Sequence, residues 1–115
     1  MNSESAPLKR SRAAGMLGLA VRARKAVTGS VPVESAVKAL EAKLVVLAAD
    51  ASGNTAKHFT DMCSYRNLPI CTWTDKESMG RAVGRDICAA AAFLDEGMAK
   101  AFLEAVKKDG AAQEP

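Results

Sequence analysis

Six cations and no carboxylate lie between Glu4 and Glu34: Lys9, Arg10, Arg12, Arg22, Arg24 and Lys25. They outnumber the net charge of +3, so the rest of the chain is net acidic and one end of the sequence forms a positive patch on a mildly acidic body. With no acids nearby these side chains lack ion-pair partners along the stretch. The chemistry open to them is neutralisation of a polyanion such as a nucleic-acid backbone; a solvated helix face is the ordinary alternative for a charge run. Arg22, Arg24 and Lys25 run directly into Thr28-Gly29-Ser30-Val31. A glycine turn that opens a helix there would let phosphate approach free backbone N–H groups while the cations flank it. Lys38, on the outward face of the same helix, is a weaker candidate for phosphate contact.

Other groups that could do chemistry form no working set. Ser52-Gly53-Asn54-Thr55 could cradle an anion at a helix start, but it lacks the glycine spacing and the lysine-plus-hydroxyl ending of a phosphate loop, so an ordinary N-cap is expected. His58 is the single histidine, with Asp61 the one potential ligand at suitable spacing, which fits a surface or half-buried residue better than a catalyst or metal ligand. Asp75, Glu77, Asp95 and Glu96 stand where helices begin and complement the helix dipole. No serine–histidine–acid set or nucleophile elbow can be assembled, so neither catalysis nor a cofactor or metal is expected. Cys63, Cys71 and Cys88 are odd in number, lack CxxC spacing and sit in apolar segments, as reduced core thiols of a cytoplasmic protein do. The polar start and the lack of a long apolar run argue against secretion and membrane insertion.

The elements that must position these groups follow from apolar spacing. Residues 1–7 and 109–115 are small, polar and unpatterned and read as flexible tails, leaving 8–108 as one domain. Ala13, Met16, Leu17 and Ala20 mark an amphipathic helix over Leu8–Ala20, weakened by Gly15 and Gly18 unless another element approaches closely there. A short strand near Lys25–Thr28 leads through Gly29-Ser30 into a helix with Pro32 in its first turn and Val33, Ala36, Val37 and Leu40 on one stripe. Lys43–Ala49 is a buried strand, and a third helix carries Phe59, Met62 and Cys63 inward. Pro69 puts the strand Leu68–Trp73 at a sheet edge or at its own beginning. A short helix over Asp75–Val83, a strand over Ile87–Leu94 and a closing helix through Met98, Phe102, Ala105 and Val106 complete the order. Gly80 and Gly84 would let the short helix sit close to the sheet. This alternation predicts a three-layer α/β/α sandwich around a small four-stranded mixed sheet.

Three segments in register carry a family likeness. They are Leu17-Gly18-Leu19-Ala20-Val21-Arg22-Ala23-Arg24-Lys25-Ala26-Val27-Thr28-Gly29, then Ala42-Lys43-Leu44-Val45-Val46-Leu47-Ala48, then Ser78-Met79-Gly80-Arg81-Ala82-Val83-Gly84. Over about Leu8–Lys107 the chain resembles the kink-turn-binding ribosomal-protein superfamily, in particular its bacterial YlxQ-like members. The resemblance implies a sandwich that grips a sharply bent RNA helix–internal loop, using the turn into the second helix and the loop before the last strand. On it, Gly29 matches the glycine that opens the recognition turn, and Arg85, Asp86, Ile87 and Cys88 occupy the second loop. Many members place Asn, Glu and a Lys along the second helix; this sequence has Val31, Pro32 and Ser35 there. Val31 and Pro32 can neither donate nor accept side-chain hydrogen bonds, and Ser35 cannot replace a cation at a phosphate.

The expected function is non-catalytic recognition of structured or ribosomal RNA, as an accessory factor that could also meet ribosome-associated proteins. A protein-interaction module, with Val31, Pro32 and Val33 as an apolar spot, is the alternative. An anionic-membrane binder ranks lower, because the first helix has no Trp or Phe to bury at an interface.

Overall fold

The computed structural model describes residues 11–113. Its elements are α1 (Arg12–Arg22), β1 (Ala26–Thr28), α2 (Ser30–Lys38), β2 (Leu44–Leu47), α3 (Gly53–Tyr65), β3 (Ile70–Thr72), α4 (Lys76–Val83), β4 (Ala90–Phe93) and α5 (Glu96–Gln113). The sheet runs β1-β4-β2-β3, with β4 antiparallel to both neighbours and β2 parallel to β3. The four-stranded mixed sheet and flanking helices are those that the alternation predicts; β3 lies at an edge and Pro69 stands just before it, so both placements open to that proline are met.

Period-two alternation sends the strand side chains to two cores. Leu44, Val46, Ala91 and Phe93 face α1, α4 and α5, where Leu17, Met79 and Phe102 are fully buried. Val45, Leu47, Ala90 and Ala92 face α2 and α3, where Val33, Val37 and Phe59 are buried. Three alanines in β4 keep its surface low, so helices can pack closely on both sides of the central strand. Trp73 and Phe93 meet Phe102 at ring-centroid distances of 5.2 and 5.0 Å, which places these aromatics in the core.

Three boundaries differ from the sequence pattern. Helix α1 begins after Ser11, whose Oγ accepts from the Ala14 N–H at 3.0 Å, and Leu8–Arg10, like the tail 1–7, lies outside the described residues. The last strand is only Ala90–Phe93, because Arg85–Ala89 form the loop that leads into it. At the other end α5 runs to Gln113, past the boundary at Lys108 that the polar composition suggests. Asp109, assigned to a flexible tail on composition, is a structural residue. One of its carboxylate oxygens accepts from the Ser11 hydroxyl at 2.8 Å and the Ala13 N–H at 3.1 Å, and the other from the Arg12 N–H at 3.3 Å. A single carboxylate on α5 thus satisfies two of the open N-terminal donors of α1, and Ser11 a third. Asp109→Ala should lower stability by about 1–2 kcal/mol, the size of a lost helix cap, read as a shift in the urea midpoint at unchanged slope.

Glycine makes two close approaches. A Cβ on Gly18 would stand 2.7 Å from the Ala82 carbonyl oxygen, so α1 can pack against the end of α4 only because residue 18 has no side chain. A Cβ on Gly80 would stand 2.7 Å from the carbonyl oxygens of both Arg85 and Asp86. The approach that Gly80 permits is therefore to the following loop, not to the sheet as its spacing with Gly84 suggests. Gly84 closes α4 in the left-handed region at φ +80°.

Candidate nucleic-acid interface

The turn from β1 into α2 is built around Gly29. Its φ of +99° and ψ of +151° lie in a region that glycine alone occupies without strain, and its N–H donates to the Ala90 carbonyl at 2.9 Å. No side chain caps α2, and Pro32 has no N–H, so the amides of Ser30 and Val31 are left for water or an anion. Against this turn comes the α4–β4 loop. Arg85 reaches back with Nη1 donating to Thr28 Oγ1 at 2.8 Å and to the Thr28 carbonyl at 3.4 Å. The same Nη1 stands 3.6 Å from where a Gly29 side chain would begin, so the guanidinium lies over the glycine. The Arg85 N–H is itself held on the Gly80 carbonyl at 2.7 Å.

Thr28, Gly29, Ser30 and Val31 are thus brought together with Arg85, and Asp86 and Ile87 continue the same exposed loop. Val31 and Ile87 are 74% and 61% exposed, giving the site two apolar side chains in water. Other expected members are elsewhere. Arg24 and Lys25 stand at the far end of β1, where the Lys25 carbonyl accepts from the Leu94 N–H, and Arg22 ends α1. A strand advances about 3.3 Å per residue, so the four steps from Lys25 to Gly29 separate them by roughly 13 Å. Lys38 lies in the last turn of α2 with its Nζ 2.9 Å from Glu34, and its charge is already partnered.

Sequence spacing did not expose the flank of this site. Asp50, Lys76, Glu77, Arg81, Arg85, Asp86 and Ile87 line a cleft of about 500 Å³. Asp50 holds its wall by accepting from the Lys76 N–H at 2.8 Å, and the Lys76 carbonyl accepts from the Cys88 N–H at 3.0 Å. Three cations and three carboxylates are mixed there, so no charge run marks the segment. The usable signal was the i,i+4 spacing of Arg81 and Arg85.

Local electrostatics hold the neighbouring helix starts. Asp75 caps α4, and its bond from the Ser78 N–H, 2.7 Å long, keeps its carboxyl below the ordinary value of 3.8. Because the folded value is depressed, the cap's stabilisation is complete above 3.8 and is lost as pH falls through the folded value. Acid titration followed by the Ser78 amide resonance should show this loosening below about pH 4, and Asp75→Asn should abolish it. Glu34 is likewise lowered, first by its bond from Lys38 and secondarily by His58, whose Nε2 lies 3.4 Å away. His58 is a half-exposed tie between α2 and α3. Ser52 is an ordinary N-cap that accepts from the Thr55 N–H. Cys63 and Cys88 are buried, and burial pushes the Cys71 thiol up to about 11. Among the described residues, no three His, Cys, Asp or Glu could hold a metal ion, and no helix is long and apolar enough to cross a membrane.

A mixed β1-β4-β2-β3 sheet between two helical layers, with an uncapped helix start and an arginine-bearing loop converging at one end, defines an α/β/α module with open backbone donors at that end. The chain belongs to the ribosomal protein L7Ae/L30e/S12e/Gadd45 family, whose pattern matches residues 11–103. It is 40% identical over 88 residues to the RNA-binding protein YlxQ of Bacillus subtilis (strain 168), covering 76% of this chain and 88% of that protein. It is 31% identical over 98 residues to the RNA-binding protein YlxQ of Enterococcus faecium, covering 85% and 94%. Among solved structures it matches a protein with unknown function from Bacillus halodurans at a TM-score of 0.81 and 28% identity, covering 85% of this chain and 99% of that one. The Giardia lamblia 15.5kD RNA binding protein shares the fold at a TM-score of 0.70 and 20% identity, over 96% and 92%.

Proposed function

We propose that this chain binds structured RNA without catalysis, gripping a sharply bent, kink-turn-like element with the Gly29 turn and the Arg85 loop, as a cytoplasmic factor associated with ribosomal RNA. The observation that carries the reading is the bond from Arg85 to Thr28 across Gly29. It holds a guanidinium beside the open N-terminus of α2, where the helix dipole and free amides favour phosphate. The YlxQ relatives, named as RNA-binding proteins, support the same class of ligand. Val31 and Pro32 supply no base-edge donors or acceptors and Ser35 no cation, so recognition rests on backbone shape more than on guanine readout.

Fluorescence anisotropy against a labelled kink-turn RNA and a straight duplex of matched length, titrated with salt, tests this. Preference for the bent RNA is expected. Equal and steeply salt-dependent binding to both would remove shape recognition, leaving non-specific charge. The exposure of Val31 and Ile87 favours a second reading, a protein-interaction module. Absence of binding to either RNA would move the assignment there.

A further inference from the structure

The basic run that adjoins the recognition turn in sequence has a separate place in the fold. Arg12, Gly15, Leu19 and Arg22 are all exposed and recur at three- and four-residue steps, which makes them the outward stripe of α1. Arg24 and Lys25, also exposed, continue that stripe into the start of β1. No acid occurs among residues 12–33. Among the described residues, the ion pairs engage Lys38, Lys57, His58 and Lys100, and none involves Arg12, Arg22, Arg24 or Lys25.

Two structural explanations fall short. A helix C-terminus carries about half a negative charge, which Arg22 in the last turn of α1 already offsets, yet Arg24 and Lys25 follow it. Arg24 closes the helix at φ +62°, with its own N–H donating to the Val21 carbonyl at 3.1 Å and the Lys25 N–H to the Ala20 carbonyl at 2.7 Å. Glycine is the usual occupant of that left-handed position. Leu40 stands in the same left-handed position after α2 at φ +61°, so the backbone there calls for no arginine; what sets Arg24 apart is an exposed charge with no acid beside it in sequence.

We infer that the outer face of α1 and the α1–β1 turn form a second phosphate-binding strip, built from Arg12, Arg22, Arg24 and Lys25. Its ligand is the sugar–phosphate backbone of duplex RNA flanking the bent element. The inference rests on the RNA-binding reading of the Gly29 turn and extends it. Strand β1 is an edge of the sheet, so a flanking helix leaving the turn can follow it to Lys25. Contacts of this kind add affinity without sequence information, and they offset the side-chain contacts that Val31, Pro32 and Ser35 do not make.

The test uses the full chain, two bent RNAs, one with a minimal stem and one with the stem extended by a helical turn, and a straight duplex as long as the extended RNA. Wild-type protein should bind the extended RNA more tightly and with a steeper salt slope. Arg24→Gly with Lys25→Gln should remove that gain, roughly tenfold in Kd, and flatten the slope by about 2 while leaving the minimal RNA unaffected. Arg24→Gly alone relieves the left-handed strain, so its Tm should hold or rise while affinity for the extended RNA falls, which a purely structural residue would not show. Equal affinity of wild type and variant for the extended RNA would overturn the strip, as would charge-dependent binding to phosphatidylserine vesicles with RNA binding unchanged. Loss of bent-over-straight preference in wild type, with the variant still weaker on the long duplex, would instead overturn the reading of the Gly29 turn and leave the strip standing.

Discussion

Gly80→Ala should destabilise the protein by about 1–3 kcal/mol, the range for forcing atoms into a filled site, and should weaken RNA binding with it. The sign is what matters. Helix propensity alone makes alanine better than glycine by about 1 kcal/mol inside a helix, so residue 80 in α4 would gain from the change if nothing touched it. Something does: the new methyl would stand 2.7 Å from two carbonyl oxygens of the Arg85-Asp86 segment. Backbone must move, and the backbone that moves carries the guanidinium over Gly29. Gly15 is the internal control, because a Cβ there meets nothing within 4 Å. Gly15→Ala should stabilise by up to about 1 kcal/mol, and urea denaturation of the two variants in parallel reads both signs.

Arg85→Ala should cost roughly tenfold to a hundredfold in affinity for bent RNA, the loss expected when one charge-assisted hydrogen bond of about 1.5–3 kcal/mol disappears. Stability should change by less than about 1 kcal/mol, because the bond to Thr28 is exposed to solvent. Arg85→Lys keeps the charge but not the planar fork that can bond Thr28 and a phosphate together, so it should recover only part of the affinity. Anisotropy with thermal melts of the same preparations separates the two effects. Equal affinity of Arg85→Ala and wild type would remove the α4–β4 loop from the interface.

Much of this fold is legible in local spacing. The helices show their apolar period and the strands are short apolar runs, while Pro32 and Pro69 mark a first helical turn and the entry to a strand. The order of the strands is not, because β4 is last in the chain yet lies between β1 and β2, and pairing across more than 60 residues leaves no local signature. The site divides the same way. Gly29 stands out as a turn glycine ahead of a helix with proline in its first turn, whereas the Arg85 bond to the adjoining Thr28 joins residues 57 apart. The basic run misleads for a geometric reason. Neighbours in sequence become opposite ends of an element once the chain is extended, so Lys25 and Gly29 part company along β1. Asp109 was hidden by its company, one capping carboxylate inside a polar, alanine-rich end.

The position of β4 also governs how the chain can fold during synthesis. Neither β1 nor the antiparallel side of β2 has a partner until residues 90–93 exist. Before that, the nascent chain holds helices and two apolar strands waiting on a segment not yet made. Closure therefore comes late and all at once, with the high contact order that slows folding relative to helical proteins of this size. A fragment ending before Ala90 should behave as a loose, aggregation-prone intermediate, and the turn into α2, whose Gly29 amide bonds to Ala90, should acquire its shape only when translation of the domain is nearly complete.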